Sequence, residues 1–214
     1  MKKVVLKVGT STLTAADGKL DRDYIFDLCR QMVEARALGW QVVMVSSGAI
    51  RAGADRLDLK KRPRLIPEKQ AAAAVGQGLL HQMYTSALDQ YGIASAQVLL
   101  TRGDFADHTR YLNAGNTLRT LLRFGAIPII NENDTVSVDE IRFGDNDMLA
   151  AMVAHLVDAN LMALLTDVDG LCTSKPSPGK ISEVIPVVTE ITPEIEAMAA
   201  GGESDRGGTG GMSS

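Results

Sequence analysis

Gly144-Asp145-Asn146-Asp147 sets two carboxylates and an amide side by side. The cluster precedes Met148, Leu149, Met152, Val153 and Leu156, whose spacing predicts a helix. Asn or Asp just ahead of such a run is an N-cap signal, and the first helical turn carries backbone N–H groups with no partner inside the helix. Capping accounts for one of the three polar side chains. The others are placed to bind a polar ligand, or to position cations that handle phosphate.

More polar groups stand where short apolar runs end. Val4-Val5-Leu6 leads into Lys7-Val8-Gly9-Thr10-Ser11, which puts a cation, a glycine open to close backbone approach and two hydroxyls at a strand exit. That is the makings of a phosphate grip, although the spacing of a Walker loop is absent. Gln41 to Val45 runs into Ser46-Ser47-Gly48-Ala49-Ile50, a turn of small residues opening a helix whose N-terminus suits an anion. Ser47 there is either a ligand hydroxyl or a plain cap. The run Ala126 to Ile130 ends in Asn131-Glu132-Asn133-Asp134, either a solvated loop or a binding edge at the carboxyl end of a strand. Leu161 to Leu165 ends in Thr166-Asp167-Val168-Asp169-Gly170. The chain closes with Gly208-Thr209-Gly210-Gly211-Met212-Ser213-Ser214, which suits a polyphosphate by its glycines and hydroxyls and a disordered tail by its composition.

These tips need a scaffold, and the periodicity supplies one. Helices are predicted over residues 22–38, closed by Gly39, over 67–91 and 104–124, and over 192–200. Strands are predicted over 41–45, 93–100, 126–130 and 161–165, with a small hairpin over 135–143 and a Pro/Gly/Ser turn over 175–180. Strands alternating with helices imply an α/β fold, a three-layer αβα sandwich around a mainly parallel sheet. With no internal repeat and no convincing linker, residues 1–214 read as one domain.

Composition narrows the partners. Aromatic residues make up only 4% of the chain, too few for a platform that stacks bases, and a net charge of −4 gives no basic footprint for nucleic acid. The cluster Lys60-Lys61-Arg62 with Arg64 reads as a solvated loop. No apolar run approaches the roughly 20 residues of a membrane span. The opening Met1-Lys2-Lys3-Val4-Val5-Leu6-Lys7 meets a charge too soon for a signal peptide. Cys29, Cys172, His81, His108 and His155 are scattered, so neither a disulfide nor a resident metal site is expected, and the compartment reads as cytoplasmic.

Taken in order, seven segments resemble the motifs of the amino acid kinase family. They are Lys7 to Ser11, Val45 to Ile50, Leu99-Leu100-Thr101-Arg102, Ile130 to Asp134, Gly144 to Asp147, Leu165-Thr166-Asp167 and Gly208 to Met212. The resemblance covers essentially the whole chain. It implies transfer of the γ-phosphoryl group of ATP, with Mg²⁺, to a carboxylate, carbamate or phosphate oxygen. Ile-Asn-Glu-Asn-Asp with Gly-Asp-Asn-Asp is similar to the branch that phosphorylates the γ-carboxylate of L-glutamate at the start of proline synthesis.

Carried across, the family's roles have Lys7 gripping the transferring phosphoryl group, beside Gly9. Ser47, Asp134 and Asn146 hold glutamate, and Asp147 orients the lysines that act on phosphate. Thr166 and Asp167 touch the nucleotide, while Thr209, Gly210, Gly211, Met212 and Ser213 form its phosphate loop. The resemblance also implies a homo-oligomer with proline as feedback inhibitor. In the family the glycine loop continues past its methionine into a Ser/Thr-Lys pair, a helix and the last strands, so the kinase domain is expected to be incomplete at Ser214. Two alternatives stay open. One is a family member acting on N-acetylglutamate, aspartate, carbamate or a nucleotide monophosphate; the other is a non-catalytic amino-acid-binding module.

Overall fold

In a computed structural model the described residues are 1–15, 17–137, 146–173 and 183–200. The chain divides into two compact units, Met1–Leu165 and Thr166–Ser214. In the first, the order is β1 (Lys2–Val8), α1 (Arg22–Ala37), β2 (Trp40–Ser46), α2 (Ala49–Arg56), α3 (Ile66–Asp89), β3 (Ser95–Leu100), α4 (Arg102–Ala106), α5 (His108–Arg123), β4 (Ile127–Glu132), α6 (Asn146–Leu156) and β5 (Leu161–Leu165). The second unit contains α7 (Pro193–Ala200) and an isolated antiparallel bridge between Cys172 and Val184.

The five strands form one sheet in the order β3-β4-β2-β1-β5, every pairing parallel. A parallel sheet needs cover on both faces, and the two-residue alternation of the strands provides apolar side chains for each. Val4, Val8, Met44 and Ile129 pack with Ile25, Cys29 and Met32 of α1 and with Leu80, Tyr84 and Leu88 of α3. On the other face Val5, Val43, Val45 and Ile130 pack with Leu118 and Leu122 of α5 and with Leu149, Val153 and Leu156 of α6. The architecture is therefore the three-layer α/β sandwich that the sequence implies. Burial pushes the Cys29 thiol up to about 12, so it sits in the core as an inert apolar group. Among the described residues no helix is long and apolar enough to cross a membrane.

Several boundaries differ from those the periodicity predicts. The helical tract at 104–124 breaks at Asp107, whose extended backbone lets its carboxylate accept from the Arg110 N–H at 2.8 Å and cap α5. Strand β3 starts at Ser95 rather than residue 93. Strand β4 does not stop at Ile130; Asn131 and Glu132 continue it, opposite Leu99 and Leu100, and both are buried. The predicted hairpin over 135–143 lies mostly outside the described residues, as does the 175–180 turn.

Helices α2 and α3 cross at two glycines. A Cβ built on Gly53 would lie 1.7 Å from the Ala72 carbonyl oxygen, and one on Gly76 would lie 1.8 Å from that of Ala49. Gly78, two residues on, faces open space. Gly76→Ala should therefore destabilise the fold by on the order of 3 kcal/mol, because rigid backbone blocks the added methyl. Gly78→Ala should stabilise it by up to about 1 kcal/mol through helix propensity. Urea unfolding of the two variants checks the contrast; similar effects from both would contradict the close crossing.

Candidate active site

The carboxyl ends of β1, β2 and β4 and the start of α6 supply the polar groups of one site. Lys7 occupies the penultimate position of β1, flanked in the sheet by Val45 of β2 and Leu164 of β5. Only 6% of Lys7 is exposed. An ammonium group so far from water needs a counter-charge, and Asp147 provides it with Oδ1 at 2.5 Å from Nζ. Asp147 lies in the first turn of α6, where the helix dipole also favours a carboxylate.

Its neighbour Asn146 ties the site together. The Asn146 Nδ2 group donates to the Ser46 carbonyl at 2.7 Å, to Asn131 Oδ1 at 2.7 Å and to Ser47 Oγ at 3.1 Å. The site thus joins β1, the exit of β2, the end of β4 and the start of α6 around Lys7, Ser47, Asn131, Asn146 and Asp147. Ser47 is not the cap of α2; that position falls to Gly48, whose φ of +100° turns the chain out of β2. The Ser47 peptide N–H bonds the Val8 carbonyl at 3.2 Å, which locks the ends of β1 and β2 together.

Gly9 has a different use from Gly48. A Cβ there would stand 3.7 Å from Lys7 Nζ and 3.8 Å from Ser11 Oγ, so the glycine keeps the approach to the ammonium clear. The loop behind it is held by Leu13 N–H on the Gly9 carbonyl and by Thr14 Oγ1 on that of Thr10. Asp134 stands half-buried in the turn that leaves β4. Thr166 and Asp167 open the second unit, directly after β5, with Thr166 Oγ1 at 3.4 Å from both Asp167 Oδ1 and the Val168 N–H. Gly144, Asp145 and the stretch Thr209, Gly210, Gly211, Met212 and Ser213 lie outside the described residues.

Sequence reasoning also missed contributors. It assigned α3 to packing alone, yet Gln77 of that helix bonds Asn131 and the Glu132 carbonyl, and Tyr84 OH bonds Ser46 Oγ at 2.9 Å. Burial raises the Tyr84 phenol far above its usual range and so keeps its proton in place. The available signal was a glutamine on the apolar stripe of Ala73, Leu80, Tyr84 and Leu88.

The structure thus gathers a buried cation, its carboxylate partner, a hydroxyl and two amides at the carboxyl ends of neighbouring strands. The chain belongs to the amino acid kinase family, whose profile matches residues 2–214. Within that family, it is 56% identical over 211 residues to a glutamate 5-kinase of Moorella thermoacetica, an alignment covering 99% of this chain and 56% of that protein. A glutamate 5-kinase of Streptococcus suis is 53% identical, with 99% of this chain and 59% of that protein covered. One of Geobacter sulfurreducens is 50% identical over 99% of this chain and 57% of its own length. The chain spans somewhat over half the length of these curated relatives.

The Lys7–Asp147 pair should behave as a unit in stability. Lys7→Met and Asp147→Leu should each cost on the order of 2 kcal/mol, because each leaves a charge short of its main counter-ion, while the double variant should cost less than the sum. A double-mutant cycle by urea unfolding measures the coupling. Strict additivity would contradict it.

Proposed function

We propose that the protein transfers the γ-phosphoryl group of ATP to the γ-carboxylate of L-glutamate, giving γ-glutamyl phosphate for proline synthesis. The observation that carries this reading is the buried Lys7 held by Asp147 at the carboxyl edge of the sheet, next to Ser47 and Asn146. Residues 2–214 match the kinase family throughout, and relatives named glutamate 5-kinase align with nearly all of the chain. Residues 1–214 are read accordingly as part of one kinase domain.

The reaction brings together two anions, a carboxylate and a triphosphate, so its chief obstacle is electrostatic. The glutamate side chain is ionised near neutral pH and attacks phosphorus directly, with no general base required. A new O–P bond forms as the bond to the ADP oxygen breaks. Phosphoryl transfer asks the protein for alignment and for positive charge around the moving group. Lys7 provides the charge, Asp147 fixes its position, and Gly9 leaves the phosphoryl group room beside it. Ser47, Asn146 and Asp134 hold the amino acid, Asp134 by pairing with its ammonium group. Thr166 and Asp167 serve the nucleotide, with the 209–213 loop on its phosphates.

Magnesium would neutralise charge on the phosphates. Among the described residues no three His, Cys, Asp or Glu side chains gather into a metal site. The ion would arrive with the nucleotide, since Mg²⁺ retains water and takes much of its ligation from substrate phosphates. Feedback by proline and self-association complete the reading.

Release of ADP by the intact protein, compared across L-glutamate, N-acetylglutamate, aspartate and carbamate, tests the substrate. Glutamate should be preferred; preference for another acceptor, or glutamate binding without turnover, would overturn the proposal. Asp147→Asn should lower kcat by on the order of a hundredfold, since it loosens a preorganised charge that acts in the transition state, with KM for glutamate changing less. Asp134→Ala should instead raise KM for glutamate by roughly tenfold through loss of a charged partner. Equal effects of both variants on both constants would contradict this division of roles.

A further inference from the structure

Gln77 is buried in the middle of α3, yet its amide reaches the end of β4. Its Nε2 donates to the Glu132 carbonyl at 3.0 Å, and its Oε1 accepts from Asn131 Nδ2 at 3.1 Å. Asn131 Oδ1 in turn accepts from the Glu132 peptide N–H at 2.9 Å and from Asn146 Nδ2 at 2.7 Å. A peptide carbonyl can only accept and a peptide N–H can only donate. The Glu132 backbone therefore fixes the direction of the relay at two points. Turning Gln77 over would set oxygen against oxygen at Glu132 and nitrogen against nitrogen at Asn131. Turning Asn131 over would oppose two donors at the Glu132 N–H. Each is a buried mismatch of the costly kind.

The consequence falls on Asn146. One of its amide hydrogens is drawn to Asn131 Oδ1, and the other is shared by the Ser46 carbonyl and Ser47 Oγ. With both hydrogens committed, Asn146 offers a ligand its oxygen, an acceptor. Ser47 Oγ accepts from Asn146, which leaves the hydroxyl proton free to be given away.

We propose that Gln77 is a positioning residue for the amino-acid substrate. Acting through Asn131, it holds in place Asn146, whose polarity the Ser46 carbonyl fixes, so that the Asn146 oxygen takes the ammonium group of the ligand while the Ser47 hydroxyl donates to a carboxylate. This rests on the reading above, in which Ser47 and Asn146 hold glutamate. It adds the direction of each contact and a residue that touches neither substrate.

Gln77→Met keeps the length of the side chain and removes both hydrogen bonds. It should raise KM for L-glutamate by on the order of tenfold while KM for ATP stays within about twofold. Gln77→Glu provides a second test. A protonated carboxyl has one donor and one acceptor, as the amide does, whereas the ionised form opposes the Glu132 carbonyl. The KM ratio of variant to parent should thus fall toward one as pH is lowered and the buried carboxyl takes up a proton. In the unsubstituted protein without ligand, the side-chain amide protons of Asn131 and Asn146 should exchange slowly with water by NMR. A KM ratio for Gln77→Glu that stays well above one at every pH, equal losses for glutamate and ATP, or fast exchange of those protons would each overturn the relay. If calorimetry finds that the unsubstituted protein binds no L-glutamate, the functional reading fails and this proposal fails with it. Binding that is unchanged in Gln77→Met sinks the relay alone.

Discussion

An ammonium group withdrawn from water has to meet a carboxylate close by, and at Lys7 this requirement governs where much of the chain must go. Lys7 sits near the end of a central strand, between β2 and β5, so the carboxylate has to come from beyond the sheet edge. It comes from Asp147 in the first turn of α6, a helix held down by Leu149, Val153 and Leu156 on one face of the sheet. The ion pair therefore joins strand and helix at the one edge where all the parallel strands end. The same chain turn carries Asn146, which is why a charge contact and an amide contact arrive together.

Around that pair the polar groups are arranged as a continuation of the sheet rather than as a loop laid over it. Asn131 and Glu132 extend β4 as strand residues, and an apolar helix gives up a buried position to Gln77 to satisfy them. The Tyr84–Ser46 hydrogen bond does the same for the end of β2. Buried polar networks of this kind rigidify a site when every member is bonded. A reaction that depends on alignment gains from such rigidity, because little remains to be reorganised when substrates bind.

The layered fold was legible because the strand and helix periods of the sequence are clean. Apolar runs at 42–45 and 161–165 left little choice, and Gly39 marked a helix end that the structure retains with φ of +89°. The strand tips were legible for a related reason: a lysine, a serine pair and an amide–carboxylate cluster each followed an apolar run without a break. What stayed hidden depends on contacts distant in sequence. Asn131 and Glu132 belong to the strand by pairing with Leu99 and Leu100, and Gln77, which lies 54 and 55 residues away, meets their polar groups. The break at Asp107 is a local capping event inside a tract whose periodicity runs on either side.

The central claim is that Lys7 stands where the two anionic reactants meet. A crystal structure of the intact protein with L-glutamate, MgADP and an aluminium fluoride mimic of the transferring phosphoryl group tests it directly. The account predicts Lys7 Nζ in contact with the fluoride ligands while still bonded to Asp147, and glutamate held between Ser47, Asn146 and Asp134 with its side-chain carboxylate in line. Glutamate bound elsewhere, or a phosphoryl mimic out of reach of Lys7, would contradict it.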